Sequence, residues 1–345
     1  MKKIFLGLFL MPLFCIAQIP VYYASIDFSQ SGESLRSDLT NLVSTTHVYD
    51  LVYTPEVWNA LKQTDLDPTD NTKVLLVYGY EDGSDDVYFN DRRRDKDLSC
   101  HTSSCTGLWV REHTFPRSLG NPNLGYVFAG SDAHHLRAID SQFNNTRSNR
   151  IFDEGSGNAT VLENGNFYPG DEWKGDVARM MMYMYLRYTS QCPATVVGAG
   201  TASNPFSDMP DIFLNWNAQD PVSDFEINRN NILQTLQGNR NPFIDNPYLA
   251  TMIWGGMTAT DSWNVLSNPK NEVETILLYP TVTSGTLHLK NLEGTIGYSI
   301  YNSIGQLVQS GKTERQIDFQ SKSTGIYFVT LSNESFSKTF KVLLQ

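Results

Sequence analysis

The chain has 345 residues, 26 basic against 37 acidic side chains, and a net charge of −11. That length predicts two domains. The acidic balance argues against a generic polyanion binder, because the mean field repels phosphate.

In chain order, Lys2 and Lys3 come first and precede the apolar run IFLGLFLMPLFCIA. Charge, apolar core and small-residue exit predict a secretory signal peptide over residues 1–17, cut after Ala17. The run is too short for a spanning helix. A lipid anchor on Cys15 is the competing reading, and the bulky Phe14 counts against it. No later stretch is long and apolar enough to span a membrane, so the mature chain is expected to be exported and soluble.

Residues 18–265 read as a mainly helical α+β domain. SLRSDLTNLVSTT places Leu35, Leu39 and Leu42 near helical spacing, with Ser34 as a cap candidate. KVLLVYGY reads as a short strand. Export permits disulfides, and Cys100 with Cys105 across HTSS is the expected bridge, leaving Cys192 as a free, buried thiol. Zinc binding by these three cysteines lacks a second close pair. GDEWKGDVARMMMYMYLRY is the clearest helix, with Val177, Met180, Met181, Met184 and Tyr188 on one stripe. Helical spacing makes those methionines core residues. Residues 266–275 read as a polar linker. From 276 to 345, short alternating segments such as TLHLKNL and GIYFVTLSN predict a small all-β sandwich.

Chemistry concentrates in two stretches, LWVREHTFPRSLG and SDAHHLRAIDSQFNNTRSNRIF. Between Arg92 and Arg150 nine basic residues stand against five acidic ones, so this segment is positive within an acidic protein. The pattern predicts a strand ending at Glu112 and His113, a loop, a strand over Asp132–Ala138, a turn at Ile139–Asp140, and a helix carrying Asn144, Arg147 and Asn149. Phosphodiester hydrolysis needs a base for water, and an imidazole suits neutral pH. It also needs a hard cation beside the phosphate, which takes oxygen ligands. His113 fits the first role; Glu112 and Asn144 offer oxygens for the second. Arg147 and Arg137 are candidates to hold the scissile phosphate, and Arg111 and Arg117 lie near enough to meet phosphates. Neighbours on a strand face opposite sides, so Glu112 and His113 share a site only if the strand ends or bends there; Pro116 allows that. A zinc hydrolase using His113 with His134 or His135 is a rival reading, but adjacent strand residues converge poorly on one ion. Nothing here reads as a base-reading helix or an aromatic platform.

REHTFPRS, DAHHLRAIDSQFNNTRSN and QGNRNPFID, in that order, resemble the bacterial endonuclease I family of extracellular and periplasmic nucleases, over about Leu42 to Trp254. The resemblance implies a ββα-metal (His-Me finger) site, with His113 as general base and with Glu112 and Asn144 as Mg²⁺ ligands. Mn²⁺ or Ca²⁺ would be substitutes. The phosphate-binding Arg that some members carry in a long inter-strand loop has no counterpart, since NPNLGYVFAGS is short and holds no Arg. The tail, LLYPTVTSGTLHL through KTFKVLLQ, resembles the type A sorting domain of type IX secretion substrates. Together these imply a secreted, Mg²⁺-dependent, largely sequence-independent endonuclease acting on DNA, with RNA as a second substrate. The export machinery would be a partner through the tail. A catalytically silent secreted binding module is the alternative from another class.

Overall fold

The computed structural model describes residues 19–83, 88–102, 104–204, 207–265, 277–290, 292, 294–319, 322–332 and 337–345. The expected leader (1–17) and linker (266–275) lie outside the described residues. The chain divides into two units, residues 1–265 and 266–345.

In the first unit, α1 (Gly32–Thr45) buries Leu35, Leu39, Leu42 and Val43, one apolar stripe at helical spacing. Its N-cap is Ser31 rather than Ser34, which lies inside the first turn. After α2 (Glu56–Thr64), strands β1 (Leu66–Asp67), β2 (Asp70–Leu75) and β3 (Arg93–Asp95) form a small antiparallel sheet. The strand expected over KVLLVYGY stops at Leu75; Val77 N then donates to Ala138 O at 2.8 Å. A disulfide joins Cys100 and Cys105 just ahead of β4, and Cys192 is free and buried.

The segment that matters most is β4 (Trp109–His113), β5 (Leu136–Asp140) and α3 (Ser141–Arg147). The two strands pair antiparallel, Trp109 opposite Asp140 through His113 opposite Leu136. The strand expected from Asp132 starts only at Leu136. The cause is local: Asp132 Oδ1 accepts from His134 N at 3.1 Å, a turn that competes with strand pairing. The turn expected at Ile139–Asp140 is instead the end of β5, and Asp140 caps α3 by accepting from Gln142 N at 2.7 Å. The helix ends at Arg147, where Ser148 takes φ of 52°, so Asn149 lies beyond it.

Strands β6 (Thr160–Val161) and β7 (Phe167–Tyr168) precede α4 (Lys174–Arg187). Every residue of α4 from Gly175 to Leu186 is buried, which places all four of its methionines in the core. Helices α5 (Asp211–Gln219), α6 (Asp224–Gln237), α7 (Pro242–Asp245) and α8 (Tyr248–Trp254) complete the unit. It is therefore mixed α+β, with sheets more numerous than the expected mainly helical reading.

The second unit holds β8 (Leu277–Tyr279), β9 (Val282–Thr283), β10 (Thr286–Lys290), β11 (Ile296–Asn302), β12 (Leu307–Thr313), β13 (Gln316–Asp318), β14 (Gly325–Ser332) and β15 (Ser337–Leu344). They form a three-stranded sheet, β13-β10-β8, and a five-stranded sheet, β12-β11-β14-β15-β9. Leu287 and Ile317 from one sheet and Ile300, Val329 and Val342 from the other share one core. Alternation of apolar and polar residues produces that two-layer packing.

Each unit carries its own apolar cluster. Deleting residues 266–345 should therefore leave the first unit folded, with unchanged helical circular dichroism and a melting temperature within about 2 °C of the full chain's corresponding transition. Loss of the helical signal in the truncated protein would contradict separate cores.

Candidate active site

Strand β4 and helix α3 meet at a cleft of about 420 Å³ whose walls include Arg111, Glu112, His113, Arg117, Asn144 and Asn149. Glu112 and His113 both reach it although they are neighbours. His113 is the last residue of β4, and Pro116 then turns the chain into a short 3-10 helix, Arg117–Leu119. Asn144 and Arg147 are one turn apart on α3, and that face turns to β4.

Glu112 is buried, with 3% of its surface exposed. Burial pushes its carboxyl up to about 7, against the opposing effects of Arg147 and of Tyr78. Both protein contacts fall on one oxygen: Tyr78 Oη donates to Oε1 at 3.2 Å, and Arg147 Nε lies 3.2 Å from the same atom. Oε2 has no such partner among the described residues. The side-chain amide of Asn144 likewise makes no hydrogen bond among them. One carboxylate oxygen and one amide oxygen thus stand uncommitted on one cleft. That donor set suits a hard cation such as Mg²⁺, Mn²⁺ or Ca²⁺, with water and phosphate filling the remaining positions.

His113 Nε2 lies 3.1 Å from Gly130 O. A carbonyl only accepts, so Nε2 carries the proton and Nδ1 the lone pair. Burial holds the ring's pKa well below its usual value; the neighbouring His135 acts in the same direction, and the Gly130 bond opposes them. The ring is accordingly neutral near pH 7.

Two of the four arginines expected to meet phosphate do not. Arg137 is fully buried, 3.3 Å from Asp65 and 3.2 Å from Asp176. Arg147 is fully buried too, paired with Glu112 and donating to Ser148 O and Thr114 O at 2.8 and 2.9 Å. Both are structural: their charges are already neutralised inside the protein. Arg111 and Arg117 do line the cleft and have no carboxylate partner among the described residues. Arg111 donates to Tyr53 O and Thr54 Oγ1, Arg117 to Leu124 O at 2.9 Å.

The zinc alternative finds no matching geometry. His134 Nε2 lies 3.3 Å from Asn239 O, and His135 Nε2 lies 2.8 Å from Ala129 O. Among the described residues no three His, Cys, Asp or Glu side chains converge on one point. Sequence reasoning missed Tyr78, which orients Glu112, and Tyr53, whose ring stacks on His113 with centroids 5.7 Å apart. Neither stands in a motif with the residue it touches, so spacing carries no signal for them.

The family model for Endonuclease I matches residues 31–248, and the model for the secretion system C-terminal sorting domain matches residues 277–345. An extracellular ribonuclease of Bacillus subtilis (strain 168) is 38% identical over 249 residues, covering 69% of this chain and 80% of the relative. An extracellular ribonuclease of Bacillus amyloliquefaciens is also 38% identical, over 69% of this chain and 79% of the relative.

The two arginine pairs should separate in experiment. Arg137→Met and Arg147→Met should each lower unfolding free energy by about 3–5 kcal/mol in urea titrations, because each removes one partner from a buried ion pair. Arg111→Ala and Arg117→Ala should cost at most about 1 kcal/mol, yet each should lower the salt slope of nucleic-acid binding by about one. A stable Arg147→Met protein with a reduced salt slope would return Arg147 to phosphate binding.

Proposed function

Because the chain belongs to the endonuclease I family and carries a secretion-system C-terminal sorting domain, we propose that this secreted nuclease is a Mg²⁺-dependent endonuclease cutting RNA and DNA with little regard to sequence. The observation that carries the reading is the meeting of Glu112, His113 and Asn144 on one cleft of a strand–strand–helix unit. The names of the two Bacillus relatives bring RNA forward beside DNA as a substrate. In this reading the tail directs export through type IX machinery, and a ββα-metal site performs the chemistry.

The chain's own residues have distinct tasks. His113 Nδ1 accepts a proton from the attacking water, in the orientation set by the Gly130 carbonyl. Glu112 is held in place by Tyr78 and Arg147 and presents Oε2 to the cleft. Asn144 presents its amide oxygen from the helix side. Arg111 and Arg117 place positive charge where substrate phosphates approach. Bound between Glu112 and Asn144, Mg²⁺ would neutralise charge on the phosphate and the leaving oxygen.

His113→Ala should fold normally and cleave plasmid DNA and RNA about 10²–10⁴-fold more slowly. EDTA should abolish wild-type cleavage, and added Mg²⁺ should restore it. Near wild-type cleavage by His113→Ala would remove the assignment, and rescue by Zn²⁺ but not by Mg²⁺ or Mn²⁺ would favour the zinc hydrolase.

A further inference from the structure

Aromatic rings follow on from His113, which lines the cleft. Tyr53 stacks on His113 with 29° between ring planes, and Tyr126 meets Tyr53 with centroids 4.9 Å apart. A guanidinium lies against one side of two of the rings: Arg111 is 3.5 Å from the Tyr53 ring centre, and Arg117 is 4.0 Å from that of Tyr126. Tyr126 is 57% exposed, and Phe128, two residues further along the chain, is 65% exposed. These rings sit on the short loop that lacks an arginine. The loop is tightly drawn: a Cβ on Gly130 would overlap the Gly125 carbonyl, and Phe128 holds φ of 51°, a region a bulky residue rarely adopts. The same loop supplies the Gly130 carbonyl that orients His113.

A single exposed aromatic residue needs no explanation. Here exposed Tyr126 lies against Arg117, which lines the candidate cleft with Arg111, and Phe128 stands exposed two residues along the same loop; neither arginine has a carboxylate partner among the described residues, in a protein of net charge −11. That combination fits a polyanion that also offers flat aromatic faces. An unpaired nucleic-acid strand offers both; a duplex keeps its base faces stacked inside and offers only backbone and base edges. We propose that Tyr126 and Phe128 form a stacking platform for unpaired bases flanking the phosphate at His113, so that single-stranded RNA or DNA is bound in preference to duplex. The proposal rests on the nuclease reading for the position of that phosphate.

The test uses the full chain in EDTA, with labelled 12-nucleotide RNA, DNA of the same sequence, and the matching DNA duplex, followed by fluorescence anisotropy. Wild type should bind both single strands more tightly than the duplex. Tyr126→Ala and Phe128→Ala should each weaken single-strand binding about 5- to 150-fold, the range for one lost base–aromatic stack, and duplex binding by less than about twofold. Neither should change the salt slope, because no charge is removed. Tyr126→Trp should bind single strands within about threefold of wild type. Equal losses on single strand and duplex, or no loss on either, would overturn the platform, as would a loss confined to RNA, which would point to the sugar hydroxyl rather than the base face. Cleavage of the same strands in Mg²⁺ is scored separately. Cleavage with no Tyr126 effect sinks the platform and leaves the nuclease standing; a Tyr126 effect without cleavage sinks the nuclease reading and leaves the platform.

Discussion

A buried carboxylate, Asp65, fixes the strand on which the candidate site depends. Its Oδ2 accepts from Ala138 N at 2.6 Å and from Arg137 Nε at 3.3 Å, while Oδ1 accepts from Thr64 Oγ1 at 3.1 Å and pairs with Arg229. Arg229 in turn donates to Ala133 O and Leu136 O. The second strand of the hairpin is thus fastened at three points to α2's end and to α6. Two residues past Ala138, Asp140 caps α3, and one turn later comes Asn144. With neither end free to slide, β4 and α3 hold Glu112 and Asn144 on the same cleft. Charges buried this way give geometry more than stability, since desolvation offsets much of their attraction.

The positive segment from Arg92 to Arg150 looks different once partners are assigned. Arg92 pairs with Glu172, Arg93 with Asp67 and Glu81, Arg94 with Asp140, Arg137 with Asp65 and Asp176, and Arg147 with Glu112. Five of the nine basic side chains are thus already paired with carboxylates, and Arg94, Arg137 and Arg147 are buried where they do so. Arg111 and Arg117 keep theirs at the cleft; in the proposed reading, their attraction for phosphate is local and short-ranged under physiological salt.

What the sequence revealed follows from what each signal measures. Helical spacing marked α1 and α4, and alternation marked the tail strands, because those patterns arise from one face meeting a core. That Glu112, His113 and Asn144 line one cleft was expected from their side-chain chemistry and the family likeness. The burial of Arg137 was not, because its partners stand 72 and 39 residues away. The late start of β5 was hidden for a different reason: Asp132's side chain competes locally with the ladder, and also accepts from Tyr183 Oη at 2.8 Å and Gln237 Nε2 at 2.9 Å. The aromatic row reads as nothing in sequence, since Tyr53 and Tyr126 meet only through the fold.

The most direct test of the account is the location of a bound cation. A crystal of the full chain soaked in Mn²⁺ and measured at the manganese edge should show an anomalous peak between α3 and the end of β4. Oxygens of Glu112 and Asn144 should lie at about 2.1–2.3 Å from it, the rest of its shell being water. A peak held instead by His113 with His134 or His135, or no peak in this cleft while the crystal binds Mn²⁺ elsewhere, would contradict the assignment of the site.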